Sequence, residues 1–179
     1  MKTVVVTLMI LCACSAFARQ DQSPRPATTV SFFDVLDLPA RIDEPKLEKT
    51  SSGQVLKCAL ANRSGEQLVG LRLTLMLVEG PGNGRIARTT WNEAAEVPSY
   101  SIKSVEFHPP LKDQPKSTSI FLGIDEVIGR DTIWRTVDSD KLLRAYARGQ
   151  HGLVPKVQRL ANAGDSPFKP IVPLLYKKP

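Results

Sequence analysis

Between residues 44 and 137 apolar side chains recur at every second position, the period of a strand that buries one face. Leu56, Cys58 and Leu60 form one such row, and Val69, Leu71, Leu73, Leu75 and Leu77 form the longest. The longer row is expected to be the most buried strand. "NRSG" (Asn62 to Gly65) separates the two with turn chemistry, because Asn and Ser side chains bond to nearby backbone. "GPGNG" (Gly80 to Gly84) ends the second row, since Pro81 cannot donate to a ladder. Further apolar runs, "RIARTTW", "SYSIKSVEF", "STSIFLGIDEVI" and "TIWRTV", are set apart by Pro98, "HPPLKDQP" and "GRD". Breaks about every ten residues, with no helical segment between the runs, predict roughly seven antiparallel strands in two packed sheets.

On both sides of this region the period is lost. "VSFFDVLDLP" carries apolar mass that fits neither a helix nor a strand and is expected to be an ordered arm. "RQDQSPRPATT" before it is polar and reads as a flexible leader. After residue 137, Asp138 or Ser139 is expected to accept a bond from the first free amides of a short helix. Leu142, Leu143 and Tyr146 would share its face, and Gly149 would allow its terminating turn. "VPKVQRLANAG" repeats the helical spacing with Val154, Val157 and Leu160. Pro167, Pro170 and Pro173, three apart, would stack along one edge of a polyproline II segment, which more often serves as an extended end than as a docking tail.

The first residues change the compartment. Lys2, the apolar run Val4 to Leu11 and small residues through Ala18 have the order of a bacterial-type export signal, and the run falls short of the about 20 apolar residues that span a bilayer. Ala16 and Ala18 suit cleavage after Ala18. Leu11, Cys12, Ala13 and Cys14 offer the competing site, a lipobox-like order in which Cys14 would be acylated. Cleavage after Ala18 leaves Cys58 as the one cysteine, so no internal disulfide is expected and stability must come from a core. A chain of this length is ample for one domain, which buries about 70% of its unfolded surface.

"VLKCALANRSGEQLVGLRLTLML" resembles the second and third strands of immunoglobulin-like or fibronectin type III-like domains of exported bacterial proteins. "PPLKDQPKSTSIFLGIDEVIGRDTIW" is similar to the later part of such domains, where a Pro-Leu break precedes a strand, a hairpin and a Trp. The resemblance covers about residues 44 to 137. It implies an all-β fold, an Ig-like antiparallel two-sheet β-sandwich, and no activity, since sandwiches host many functions. Asp131-Thr132 stands where a hairpin more usually carries Asp-Gly, and Cys58 lacks a partner, which excludes the disulfide-pinned version. Trp134 is expected to be a packing plug between sheets. The expected organisation is a signal over 1–18, a leader and arm over 19–43, the sandwich over 44–137, and a helical, basic, Pro-rich extension over 138–179.

Candidate chemistry is sparse. Cys58 lies on an inward row and reads as a small buried hydrophobe, with an intermolecular bridge as the alternative. His108 and His151 have no Cys or carboxylate at ligand spacing, so no metal or other cofactor is expected. Asp125 and Glu126 are neighbours in a strand and should point to opposite faces, while Asp138 and Asp140 fit a helix start. No catalytic residue is assigned. Charge is more informative. Residues 19–129 hold 13 basic and 14 acidic side chains, and residues 130–179 hold 10 and 4, so a near-neutral body carries a +6 extension. A solvated surface explains such charge; recruitment to an anionic partner would use Arg144, Arg148, Lys156, Arg159, Lys177 and Lys178. The reading is a non-catalytic exported binding or scaffolding protein of the cell envelope, periplasmic or extracellular. Its partner would be another envelope protein or an anionic surface, lipid or acidic glycan; nucleic acid is not expected. A lipid-anchored form acylated at Cys14 and an unrecognised extracytoplasmic enzyme remain the alternatives.

Overall fold

The computed structural model describes residues 28–79, 85–111, 119–150 and 152–161. The described residues are all-β apart from one short helix. Its strands are β1 (Thr28–Thr29), β2 (Ser31–Phe33), β3 (Ala40–Thr50), β4 (Gly53–Asn62), β5 (Leu68–Glu79), β6 (Arg85–Val97) and β7 (Ile102–Phe107). They are followed by β8 (Ser119–Gly129), β9 (Thr132–Val137), the helix α1 (Ser139–Ala147) and β10 (Lys156–Ala161). One sheet has the order β1-β3-β4-β7, and the larger one has the order β10-β9-β8-β5-β6. All pairs are antiparallel except β2 with β8, which runs parallel beside Phe121 to Gly123.

The alternating rows do what their period predicts. Leu56, Cys58 and Leu60 of the smaller sheet and Leu71, Leu73 and Leu75 of the larger one are buried in a single cluster with Ile42, Leu47, Phe107, Leu122 and Ile124. Each such side chain contributes about 2 kcal/mol through removal of apolar area from water. Val69 departs from the expected row. It belongs to a second cluster with Ile128 and Ile133, because the register shifts between Leu68 and Gly70 and turns Val69 to the opposite face. Asn62 secures the turn that follows β4. Its Nδ2 donates to the carbonyl oxygens of Glu66 (2.8 Å), Pro98 (2.9 Å) and Val97 (3.2 Å), while its Oδ1 accepts from the amide and hydroxyl of Ser64.

The sheets extend past residues 44–137 on both sides. The arm supplies β1 to the smaller sheet and β2 to the larger, so it crosses between them at Val30, and it buries Val35 and Leu38. Downstream, the segment with helical spacing is a strand instead: β10 pairs with β9 from Lys156↔Val137 to Ala161↔Thr132. The open edge of β9 provides backbone partners that an isolated helix would not need. Val157 and Leu160 then fall on opposite faces, one against the shared core and one against the second cluster. Val154, the third member of the expected helical face, is 82% exposed.

Helix α1 lies on the outer face of the larger sheet, where Leu142, Leu143 and Ala145 are buried. Gly123 makes this approach possible, because a Cβ there would come within 3.3 Å of Leu143. The Tyr146 ring meets Phe33 at 5.1 Å and Phe121 at 5.7 Å. The start of the helix differs from expectation. Asp138 has φ of 55° and makes no side-chain cap bond, so its backbone carbonyl opens the helix by accepting from Leu142. Its end is as expected: Gly149 takes φ of 70°, and the Gly149 and Gln150 amides donate to Tyr146 and Ala145. Among the described residues no helix is long and apolar enough to cross a membrane.

Candidate functional site

The basic residues singled out from the sequence do not form one patch. Arg144 pairs with Asp140 at 2.9 Å, one turn earlier in α1, and Asp140 also takes Arg88 at 3.3 Å. Arg148 is exposed at the end of the helix. Lys156 and Arg159 are both exposed, but an odd spacing along β10 sends them to opposite faces of the sheet. Lys177 and Lys178 lie outside the described residues, as do Cys12, Cys14, His151 and the proline-spaced segment.

Lys156 belongs to a feature the sequence did not suggest. Where β9 ends and β10 begins, Val137, Leu142, Leu153 and Val154 line a concavity of about 240 Å³ whose charged lining is Lys141, Lys156 and the exposed Asp138, two cations to one anion. Leu153 is 46% and Val154 82% exposed. Adjacent apolar side chains at such exposure, with two lysines and one aspartate beside them, are what an interface with an amphipathic surface presents.

Further back along β9, three residues and about 10 Å from Val137 at roughly 3.4 Å per residue, the surface has another character. A cleft of about 500 Å³ opens between the loop Leu36 to Pro39, the turn Arg63 to Glu66, and Trp134 and Arg159. Trp134 is only half-buried. One side packs on the core, and the guanidinium of Arg159 sits over its ring at 5.8 Å. The ring is therefore both the expected plug and part of a surface. Glu66 reaches under the β8–β9 turn, where its Oε1 accepts the backbone amides of Asp131 and Thr132. Gly129 leaves it room, since a Cβ there would stand 2.6 Å from the Glu66 carboxyl. Arg63 forms an ion pair with Asp34 at 3.2 Å.

The adjacent carboxylates Asp125 and Glu126 were expected on opposite faces and are found on the same one. Arg72 pairs with Glu126 while Leu73 pairs with Ile124, so Asp125 is an extra residue in β8 and both acids turn outward. Asp125 accepts from Thr74 at 2.7 Å and lies 3.7 Å from Arg88, and Glu126 pairs with Arg135 at 2.6 Å. Both are buried. Cys58 is buried in the core, and burial pushes its thiol up to about 12. The His108 side chain is exposed, while its amide donates to Glu93. No protein-family model, curated protein or solved structure matches the chain.

Proposed function

We propose that the protein is an exported, non-catalytic binding module of the cell envelope, built on an Ig-like sandwich, that rests on anionic membrane surfaces through the end formed by Val137, α1 and the loop before β10. Export rests on the amino-terminal pattern of Lys2, the apolar run and Ala16-x-Ala18. The strand order supports the Ig-like reading. Taking β3, β4 and β7 as A, B and E, and β5, β8 and β9 as C, F and G, the described strands match the two-sheet grouping of an Ig constant-type domain, with β6 added beside C and no D strand among the described residues.

The observation that carries the membrane reading is the exposure of Leu153 and Val154 between Lys141 and Lys156, which outnumber the one carboxylate there, Asp138. Apolar side chains of this kind enter the headgroup boundary, while lysines keep their charge at its level and each adds about 1 kcal/mol near an anionic leaflet. Arg148 stands exposed at the end of the same helix.

Sedimentation of the mature chain with phosphatidylglycerol vesicles tests this. Binding should fall as salt rises, because surface charge is screened within about 8 Å at physiological ionic strength. Val154→Asp and Lys156→Glu should each weaken it without changing the thermal midpoint. Absent binding, or binding indifferent to both substitutions, would remove this reading. Preference for an acidic polysaccharide over vesicles would move the partner to a glycan.

A further inference from the structure

The cleft beside Trp134, apart from the membrane-facing patch, is lined by groups of both charges, several of them uncommitted. Arg63 is balanced by Asp34 at 3.2 Å. Arg159 lies over the Trp134 ring at 5.8 Å and forms no ion pair with a described carboxylate. Asp37 is exposed on the wall of the cleft without a described partner, and Glu66 uses Oε1 for two backbone amides while Oε2 carries no bond. Leu36, 81% exposed, adds an apolar rim.

We infer that this cleft binds a neutral oligosaccharide. A cationic ligand would meet Arg159, and an anionic one would meet Asp37 and Glu66, so net charge on the ligand is opposed in either direction. What the walls favour is a molecule carrying donors and acceptors in adjacent pairs. Vicinal hydroxyls are such pairs, each offering one donor and two acceptor lone pairs. A guanidinium and a carboxylate can each engage two of them at once, through charge-assisted bonds. The C–H face of a sugar ring would rest against Leu36 and the Trp134 edge. Two of the contacting groups have partners beforehand: Arg159 lies over the Trp134 ring at 5.8 Å, and the Asp131 and Thr132 amides hold Glu66. Less entropy is then lost on binding. The volume of about 500 Å³ lies in the range of small-molecule sites, roughly 300–1,000 Å³.

The full mature chain, labelled with nitrogen-15, is titrated with cellohexaose and with chitotetraose, and with hexagalacturonate as the charged comparison. The chain has two tryptophans. A neutral saccharide should shift the indole resonance of Trp134 and leave that of Trp91, on β6, in place. Arg159→Gln and Asp37→Asn alter exposed side chains, so each should keep the thermal midpoint and weaken binding about tenfold, the worth of one hydrogen bond to a charged group. Val154→Asp should leave saccharide affinity unchanged, which separates this site from the membrane-facing end. No shift of Trp134 with either neutral saccharide at millimolar concentration overturns the inference. So does a shift that survives both cleft substitutions. Tighter, salt-sensitive binding of the uronate would replace it with an oxyanion site.

Discussion

Strands β5 and β8 bury both of their faces, and the two faces are filled by different chemistry. Inward, Leu71, Leu73 and Leu75 meet Leu122, Ile124 and Val127 in an unbroken apolar cluster. Outward, the same strands place Thr74, Asp125 and Glu126 under partial cover from α1 and from Arg88 and Arg135. The inner face is held by area removed from water, which is non-directional, so the side chains of a row need no particular partner as long as they stay on the inward face. The outer face combines apolar packing, of α1 and of Val69 with Ile128 and Ile133, with pairs that each require a geometry: Thr74 to Asp125 at 2.7 Å, Arg135 to Glu126 at 2.6 Å. The comparison teaches that burial alone does not define a core. One side of this sheet is hydrocarbon throughout, and the other also needs particular polar partners.

The largest effect expected from breaking this contrast is on the inner face. Leu73 is fully buried, so Leu73→Asp places an unpaired charge among hydrocarbon and should abolish the cooperative thermal transition. Retention of that transition by circular dichroism would overturn the inward assignment of β5. The same face can be probed by pH without mutation. The Cys58 thiol is raised from 9.0 to about 12 by burial, so the folded state holds its proton where the unfolded chain gives it up. Its stabilising effect is complete below about pH 9 and is lost as pH rises from there towards 12. Urea midpoints should therefore fall over that alkaline window, and Cys58→Ala should flatten the fall. Alkylation of the thiol should require unfolding.

On the outer face smaller losses are expected, and they should be recoverable. Arg135→Met leaves Glu126 buried without its partner, and should cost about 2–3 kcal/mol, less than for a fully buried pair because the Arg135 side chain is 42% exposed. The double substitution Glu126→Leu/Arg135→Met should recover most of that loss by chemical denaturation, since a well-packed apolar pair removes the stranded charge. Failure to recover would show that the pair does more than neutralise itself. Gly123→Val should destabilise by about 1–3 kcal/mol by forcing Leu143 off the sheet, and truncating Leu143 in the same chain should relieve part of that strain. Arg144→Ala, which removes a half-exposed pair with Asp140, should change stability by at most about 0.5 kcal/mol.

The two sites along β9 show how far a site can be read from a chain. Arg159 was legible as a basic residue, but its role depends on standing over Trp134, and that follows from the register Arg159↔Trp134 between two strands. The cleft also needs Leu36 and Glu66, which lie far apart in sequence and carry no motif. At the other site Val154 looked like part of a helical stripe. Only the pairing of β10 with β9 leaves it in the exposed loop beside Lys156.

By itself the sequence determined the inward rows, Leu56, Cys58 and Leu60 and then Leu71, Leu73 and Leu75, the turn at Asn62 and the helix over Leu142, Leu143 and Tyr146. These depend on local periodicity and on local bonds, and the period of a strand is written in its residues. Tertiary structure decided what depends on a partner. It turned Val69 outward through a shift of register, brought Asp125 and Glu126 to one face through an extra residue, and divided the arm between two sheets. It also made a strand of Lys156–Ala161, whose spacing of Val157 and Leu160 fits a helix face as well as a strand buried on both sides. A bulge or an edge pairing is favoured by contacts with a second strand, so its signal lies in two segments at once and in neither alone.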